Sequence, residues 1–299
     1  MKMFRTLTLG LLTVAAVASC GRTNLAAPTA TQAASTLPTV KTVDGQEFAL
    51  GFDMKKYKTQ FAPKAKIQHL VRQGMLPASV DNRSLCAPVY NQGMLGACTA
   101  FAMGKGLREY LQRLNGEEQT PLSALYLYYE ERVLNNTVNE DSGATMSQGM
   151  QVLKEKGDAP DTDRAYGWTY LFTFKKPNSE KAATDAAKWK VANPVQLGGL
   201  DDIKTALAAK KPVVFGFIVY QTFMGAQVQK TGVMEMPSPQ QGERQVGGHA
   251  VMAVGYDDEK KVLIMRNSWS EKWGDKGYFY MPYEYVQHKD WVDDIWTVN

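Results

Sequence analysis

The sequence has 299 residues, of which 44% are hydrophobic and 21% are charged. This length suggests one large domain or two modest ones, and this composition is typical of a globular chain with a sizeable core. The formal net charge is only +4, and no dense run of Lys and Arg occurs. The charge pattern therefore argues against a nucleic-acid-binding protein.

The first twenty residues have the features of an export signal. Lys2 and Arg5 supply a positive start, and residues 7–18 are apolar or small. Because this run is short for a transmembrane helix, a signal peptide over residues 1–19 is predicted. The string Val-Ala-Ser-Cys that ends at Cys20 resembles a bacterial lipobox, which implies lipidation of Cys20 after cleavage; the alternative is an ordinary signal peptide with an incidental cysteine. We expect an exported protein of the cell envelope, either a membrane-anchored lipoprotein or a secreted protein.

The next two segments differ from the rest of the chain in composition. Residues 20–40, which begin at the candidate lipidation site, are rich in Ala, Thr and Pro and predict a flexible tether. Residues 41–75 are mixed and are expected to form an N-terminal arm or a short pro-segment, with a possible helix over residues 66–73. Whether residues 20–76 are removed or inhibit the protein stays open. The ordered domain is predicted over residues 76–299.

From residue 98 onward the apolar residues recur at helical spacing. Helices are predicted over residues 98–114, 123–133, 147–156, 180–190 and 201–210. The last of these has acidic residues at its start and lysines at its end, which favours the helix dipole.

After residue 211 the apolar runs become short and rich in β-branched and aromatic residues. VVFGFIVY, GGHAVMAVGYDD, KVLIMRNSW and GYFYMPYEYV are separated by turn residues and predict strands. Residues 257–260 would form a hairpin tip between the second and the third. The fold class is therefore α+β, with a helical lobe, a β-rich lobe and a cleft between them.

Four residues spread over these two halves have the chemistry of a thiol acyl-transfer site. Cys98 stands at the start of a predicted helix, whose positive end favours the thiolate, as a nearby imidazolium would. His249 can supply that imidazolium and return its proton to a leaving amine, while Asn267 can orient the ring. The Gln92 amide and the Cys98 backbone N–H are suitable donors to a carbonyl oxygen that gains negative charge.

Glycines flank both reactive positions. Gly93 and Gly96 allow the tight turn that exposes a thiol at the start of a helix. Gly247 and Gly248 remove side-chain bulk beside His249, where a substrate chain must approach.

The segments QGMLGACTAFA, GGHAVMAVGYDD and RNSWSEKWGDKGYFYMP together resemble the papain-like cysteine peptidases of the short bacterial type, over about residues 76–298. The spacing from Cys98 to His249 is close to the ~130–150 residues typical of that family. The resemblance implies a two-lobe fold in which a helical lobe carries Cys98 and a barrel-like β-rich lobe carries His249, with the active-site cleft between them.

The resemblance also assigns roles. Cys98 would be the nucleophile, His249 its acid–base partner, Asn267 the residue that orients the ring, and Gln92 the oxyanion donor. Three further residues, Trp269, Gly143 and Gly248, are candidates for substrate binding. Trp269 would shield the hydrogen bond between the imidazole and the amide, and Gly143 would lie near the loop that pairs with the substrate backbone.

Some positions depart from the family. Thr99 stands where Trp is common, and Leu95 stands where a cysteine is common, so that disulfide is absent. The long inhibitory propeptide of the family is not visible, which leaves the control of activity open.

The remaining chemically notable residues have simpler interpretations. His69 and His288 are predicted on the surface, Trp168 and Trp189 in the core or the cleft wall, and Cys86 as a small buried side chain. No cluster of Cys and His has zinc spacing, and no phosphate-binding loop occurs. We therefore expect neither a metal nor a cofactor.

These observations lead to one function with two alternatives. We expect an exported, membrane-anchored cysteine endopeptidase that hydrolyses peptide bonds of peptide or protein substrates through a thioester acyl-enzyme, as a monomer. The first alternative is an acyl transferase that uses the same site as a peptide ligase or transamidase. The second is an inactive surface module that binds peptides. Side-chain specificity and the choice between endo- and exopeptidase stay open.

Overall fold

The structure, a computed structural model, describes residues 37–54 and 76–298. The predicted signal peptide, Cys20, His69 and the possible helix over residues 66–73 lie outside these ranges. Within them, no helix combines the length and the apolar character that crossing a membrane requires.

The first part of the domain is helical, as predicted. The helices are α1 (Cys98–Ala100), a π-helix (Phe101–Arg108), α2 (Glu109–Asn115), α3 (Ala124–Leu134), α4 (Met146–Glu155), α5 (Tyr170–Thr173), α6 (Glu180–Ala186), α7 (Leu200–Ala208), α8 (Ala226–Thr231) and α9 (Tyr283–Gln287). The first three follow one another without a break and form the predicted helix that begins at Cys98. Helices α3, α4, α6 and α7 confirm the other four predictions, whereas α5, α8 and α9 were not predicted.

Side-chain caps mark the starts of α3 and α4, and a glycine marks the end of α2. Ser123 accepts a hydrogen bond from the backbone N–H of Tyr126 at the start of α3. Thr145 and Gln148 form a reciprocal capping box at the start of α4. Gly116 has φ 66° and ends α2 in the left-handed conformation that glycine adopts without strain.

The second part of the domain is a seven-stranded antiparallel sheet. The strands are β1 (Thr39–Lys41), β2 (Glu47–Ala49), β3 (Ser79–Asp81), β4 (Pro194–Gln196), β5 (Val213–Tyr220), β6 (Gln245–Asp257), β7 (Val262–Arg266), β8 (Tyr278–Pro282) and β9 (Val292–Val298). The sheet runs in the order β4-β9-β5-β6-β7-β8, with β3 paired to β6, while β1 and β2 form a separate hairpin.

Most of the strand prediction is confirmed. Strands β5, β6 and β7 lie where it placed them, and β6 and β7 pair antiparallel around the predicted hairpin tip. The last predicted run ends sooner than expected, because β8 stops at Pro282 and α9 follows. Five strands were not predicted: β1, β2, β3, β4 and β9.

The central strand β5 separates two hydrophobic cores. Val213, Phe215 and Phe217 lie in a core that α7 and α9 also enter. Val214 lies in a second core, which contains Cys98 and residues of helices α1 to α4. This second core joins the helical lobe to the sheet, and the α+β two-lobe prediction is therefore confirmed.

Residues 37–54 form an arm that belongs structurally to this domain. The β1–β2 hairpin is followed by an extended stretch, residues 50–54, whose backbone bonds to both lobes. We call residues 37–54 the arm. Its buried side chains Val40, Phe48 and Leu50 enter the first core, and Phe52 enters the second.

Candidate active site

Cys98 is the first residue of α1 and is fully buried. The preceding turn is tight, since the Ala97 N–H donates to the Leu95 carbonyl at 2.7 Å. The Gly96 N–H donates to the Asp141 carboxylate at 3.1 Å and fixes the turn from the helical lobe. The sulfur therefore lies at a helix N-terminus, as the sequence predicted, but it is covered.

His249 lies on β6, opposite Phe217 of β5, and is also fully buried. Its Nε2 is 2.8 Å from Oδ1 of Asn267, so a ring proton on Nε2 donates to the amide oxygen. The other ring nitrogen, Nδ1, has no hydrogen-bond partner within the described residues. The indole of Trp269 stacks on the imidazole with ring centroids 4.8 Å apart and covers this hydrogen bond.

Cys98, in the helical lobe, packs against β6, the strand that carries His249. The backbones of Gly51 and of Ala250, the residue after His249, lie close enough to Cys98 to lower the pKa of its thiol. The thiol thus lies beside β6, across the junction of the lobes.

Burial keeps both reactive groups neutral in this conformation. It raises the pKa of the Cys98 thiol to about 12, although the backbone N–H groups of Ala250 and Gly51 oppose the shift. Burial also lowers the pKa of His249 to about 4, with the hydrogen bond to Asn267 acting in the opposite direction. Because the thiolate is the nucleophile, burial disfavours the reactive form of Cys98 in this conformation.

Gln92 is fully buried, and its amide points at the arm. Nε2 donates to the carbonyl of Ala49 at 3.0 Å and to that of Leu95 at 3.2 Å. Oε1 accepts from the Ser268 hydroxyl at 2.5 Å, which fixes which end of the amide donates. The predicted oxyanion donor therefore bonds to a carbonyl of the chain's own arm.

Ser268 was missed by the sequence interpretation, although it follows Asn267 directly. Its position beside Asn267 was the available signal. Its contact with Gln92 depends on the approach of two loops far apart in sequence, which no spacing rule reveals.

The arm crosses the predicted substrate-binding positions through backbone hydrogen bonds. The Phe52 N–H donates to Gly248 O at 3.0 Å, and the Ala144 N–H donates to Gly51 O at 2.9 Å. The two glycines are needed for this approach. A Cβ on Gly143 would lie 2.1 Å from Gly51 O, and one on Gly248 would lie 2.3 Å from Phe52 O. Both lie in the cleft, facing an extended peptide.

The hairpin end of the arm is anchored on Trp269. The ring of Phe48 stacks on the indole at 5.1 Å between centroids, so that Trp269 lies between Phe48 and His249. The Val43 N–H donates to Gln229 Oε1 at 2.6 Å. The arm thus covers the imidazole through an aromatic stack as well as through backbone bonds.

A buried carboxyl group, that of Glu131, contacts Thr99, the residue after the nucleophile. The Thr99 hydroxyl donates to Oε2 of Glu131 at 2.7 Å, and Oε1 is unpartnered in the part of the chain that the structure describes. Burial raises the pKa of Glu131 to about 8, against the opposing effects of Thr99 and Arg132. Thr99, where the family often has Trp, was the signal in the sequence that could have drawn attention to this neighbour.

Predictions outside the site had mixed outcomes. Trp189 is buried, as expected, and His288 is exposed and stacks on Trp291. The prediction for Trp168 was wrong, since 89% of this residue is exposed. Trp168 lies between Tyr166 and Tyr170, whose rings stack on each other at 4.7 Å between centroids, and its own side chain is exposed.

Cys86 is half-buried, and burial raises its pKa. It and Cys98 are both free thiols in the structure. Among the described residues, no group of three or more His, Cys, Asp or Glu side chains is placed to hold a metal ion.

The fold and the site define a class, that of two-lobed cysteine peptidases. The sequence model described as papain family cysteine protease matches residues 76–291. The chain belongs to the papain family of cysteine proteases, and the protein is a cysteine peptidase.

Relatives and solved structures agree with this assignment. An uncharacterised peptidase C1-like protein of Acanthamoeba polyphaga mimivirus is 33% identical over 86% of this chain and 84% of its own length. Thiol protease aleurain of Arabidopsis thaliana is 32% identical over 72% of this chain, which spans 58% of aleurain. The crystal structure of xylellain, a cysteine protease from Xylella fastidiosa, superposes with a TM-score of 0.73 at 31% identity, covering 84% of this chain and 95% of that one.

Proposed function

We propose that the protein is an exported cysteine endopeptidase that its own arm holds closed. The observation that carries this proposal is the position of the arm. An extended peptide backbone lies across Cys98, Gln92 and Gly248, where a substrate backbone would have to lie. The site therefore accepts extended peptide, and the arm must leave before another peptide can enter.

The chemistry follows from the atoms that meet at the cleft. With the arm displaced, water and substrate reach the site, the desolvation that suppresses both charges falls, and the proton of Cys98 can pass to Nδ1 of His249. The thiolate attacks the scissile carbonyl carbon, and the negative oxygen receives hydrogen bonds from the Gln92 amide and the Cys98 N–H. One such donor contributes roughly 3–4 kcal/mol to transition-state stabilisation.

Collapse of this intermediate breaks the C–N bond. The imidazolium donates its proton to the departing amine, and a thioester remains on Cys98. Water then attacks the thioester while His249 takes a proton from it, which releases the acid and restores the thiol. Asn267 keeps the Nε2 proton in place throughout, so that Nδ1 is the nitrogen that exchanges protons with sulfur and substrate.

The cellular setting is part of the proposal and is supported by the sequence. The apolar N-terminal run and the lipobox-like string favour export and lipidation of Cys20, which would hold a monomeric peptidase at a membrane surface. Its substrates would be peptides or proteins of the cell envelope. Radiolabelled lipid incorporation that survives Cys20→Ala would contradict the anchor.

The function is tested with the chain lacking residues 1–19, before and after a cut within residues 55–75. We expect peptide hydrolysis and labelling by a thiol-directed peptide electrophile to be lost in Cys98→Ala and retained in the matched control Cys86→Ala. Hydrolysis that persists in Cys98→Ala would refute the assignment. Product mass spectrometry with an added amine separates hydrolysis from transamidation, and peptide affinity without any thiol reactivity would favour a binding module.

A further inference from the structure

The peptide group that joins Leu95 to Gly96 is hydrogen-bonded at both ends by polar side chains. Its carbonyl oxygen accepts from Nε2 of Gln92 at 3.2 Å, and its N–H lies 3.1 and 3.2 Å from the two carboxylate oxygens of Asp141. The same carbonyl also accepts from the Ala97 N–H at 2.7 Å. One peptide group therefore connects the predicted oxyanion donor to a carboxylate on a separate loop.

The bond to Leu95 directs the part of the Gln92 amide that meets the substrate. Nε2 carries two protons, of which one donates to the carbonyl of Leu95 and the other to the carbonyl of Ala49 in the arm. Oε1 is held by the Ser268 hydroxyl. When the arm leaves, the proton that faced Ala49 becomes available to the substrate oxygen, while Leu95 and Ser268 keep the amide in its orientation.

Asp141 strengthens the bond that holds this amide. A carboxylate that accepts from the N–H of a peptide group polarises that group, so the carbonyl oxygen at its other end becomes a better acceptor. Hydrogen bonds to an ionised group are also about twice as strong as neutral ones. Gln92 and Leu95 are fully buried and Asp141 is 8% exposed, so water competes little for these bonds. The charge of Asp141 therefore fixes the Gln92 amide, although the two side chains lie on different loops.

Asp141 is in turn fixed by two fully buried residues of α3. The Tyr128 hydroxyl donates to Oδ1 of Asp141. The guanidinium of Arg132 lies over the Tyr128 ring, 4.2 Å from its centroid. Its Nη1 donates to the carbonyls of Val138 and Glu140, in the loop that leads to Asp141. The carboxylate therefore has a defined orientation, which a residue that positions another group requires.

We propose, on the basis of the function above, that Asp141 is a positioning residue for the oxyanion site. It acts on the reaction through the Leu95–Gly96 peptide group and the Gln92 amide. The substrate oxygen becomes negative only as Cys98 attacks, so the loss of Asp141 should lower kcat and leave KM nearly unchanged. Asp141 thus contributes to the rate of the chemical step and not to the affinity for peptide.

The first experiment is a double-variant cycle on the chain cut within residues 55–75, with one peptide substrate. It compares kcat/KM in the wild type, Asp141→Asn, Gln92→Ala and the double variant. Each value is divided by the rate at which iodoacetamide labels Cys98 in the same sample. Alkylation needs an accessible thiolate but no oxyanion donor, so this ratio does not depend on how much of the enzyme is open.

The cycle separates positioning from a merely structural role. We expect the ratio to fall about 100- to 1,000-fold in Gln92→Ala, the usual cost of removing one oxyanion donor, and about tenfold in Asp141→Asn, which keeps the donor but weakens its support. The double variant should equal Gln92→Ala, because Asp141 then has nothing left to position. If the two losses multiply in the double variant instead, Asp141 acts elsewhere and the proposal is refuted.

The second experiment measures the affinity of a peptide aldehyde and of the corresponding peptide alcohol. The Cys98 sulfur bonds to the aldehyde carbon while the thiol proton passes to His249, so the former carbonyl oxygen carries a negative charge in the oxyanion site. The alcohol binds the same cleft without forming this charge. Asp141→Asn should weaken the aldehyde about tenfold and leave the alcohol unchanged. Equal weakening of both would show a general loosening of the site and contradict the proposal.

A control and a substitute keep the test decisive. Asp201→Asn makes the same change at an exposed residue of α7 and should keep the wild-type ratio. If Asp141→Asn fails to fold, Tyr128→Phe takes its place in the cycle, because it removes the hydroxyl that holds the carboxylate and keeps the ring beneath Arg132. Tyr128→Phe must then show the same pattern, a loss that vanishes in the Gln92→Ala background, for the proposal to stand.

The outcomes also separate this proposal from the function on which it rests. If the wild type hydrolyses peptides through Cys98 while Asp141→Asn has the wild-type ratio, the positioning role is refuted and the peptidase stands. If the wild type hydrolyses no peptide, the proposed function fails. The aldehyde then decides alone, and equal aldehyde affinity in the wild type and Asp141→Asn refutes the positioning role.

Discussion

Replacing Phe48 by Ala should open the site from a distance, without touching Cys98 or its partners. Phe48 is 1% exposed and stacks on Trp269, and it is the largest side chain by which the hairpin is anchored. Truncation of a buried Phe costs about 3–5 kcal/mol. Because the hairpin can relax on the surface of the domain, we take the lower end, and expect the closed form to lose about 3 kcal/mol of stability relative to the open form. Since about 1.36 kcal/mol corresponds to a tenfold change in an equilibrium, the open population should rise roughly 100-fold.

Thiol labelling reports this population directly. Cys98 is fully buried and neutral while the arm is closed, so iodoacetamide reacts only with the open form. With dilute reagent the labelling rate is proportional to the open fraction, and mass spectrometry distinguishes Cys98 from Cys86. Phe48→Ala should label Cys98 about 100-fold faster than the wild type.

The matched control is Val43→Ala on the same hairpin. Val43 is 65% exposed, and its contact with Gln229 uses the backbone N–H, which the substitution keeps. This variant should label like the wild type. If Phe48→Ala labels no faster than Val43→Ala while its thermal unfolding shows an intact domain, the arm is not what closes the site, and the reasoning fails.

Three further changes test the interior of the site. Glu131→Gln should flatten the pH dependence of the free energy of unfolding. Burial raises the pKa of Glu131 from 4.5 to about 8, so the protonated carboxyl stabilises the wild type most below pH 4.5. As the pH rises towards 8, the wild type should lose up to about 1.4 kcal/mol of this free energy per pH unit. Urea unfolding at pH 5 and pH 7 measures the change in the free energy of unfolding with pH, and an equal change in the wild type and in Glu131→Gln would contradict the prediction. Ser268→Ala removes the donor to Gln92 and should lower kcat about tenfold with KM unchanged, whereas a rise in KM alone would place the loss in substrate binding. Asn267→Ala frees the His249 ring and should lower kcat/KM about 10- to 100-fold in peptide hydrolysis; an unchanged rate would show that the amide does not hold the ring.

The sequence was sufficient for the parts of the fold that local rules govern. The helix that begins at Cys98 shows its periodicity and its glycine stop, and the long strand that carries His249 shows a continuous apolar run. These features are encoded within about fifteen residues, so spacing alone reveals them. The four candidate site residues also lay in recognisable segments.

Features that depend on distant contacts were not predictable. At Gly51 and Phe52 the arm binds both lobes through backbone hydrogen bonds, which almost any sequence can form, so the sequence of the arm did not predict its position. Strand β9 has charged residues near its start, and its pairing with β4 and β5, both distant in sequence, makes it a strand. Glu131 lies in the helix predicted over residues 123–133, but its burial beside Thr99 depends on how α3 packs against the helix that carries the nucleophile.

The connection between the arm and the domain has a consequence for switching. Residues 55–75 join them and contain six Lys and Arg residues but no Asp or Glu. While this connection is intact, the arm is presented at an effective concentration on the order of millimolar, whatever the amount of protein present. A single cut at one of these basic residues would turn the same contacts into a bimolecular complex. Dilution alone would then dissociate it, so that one cleavage converts a block that is independent of concentration into one that dilution removes.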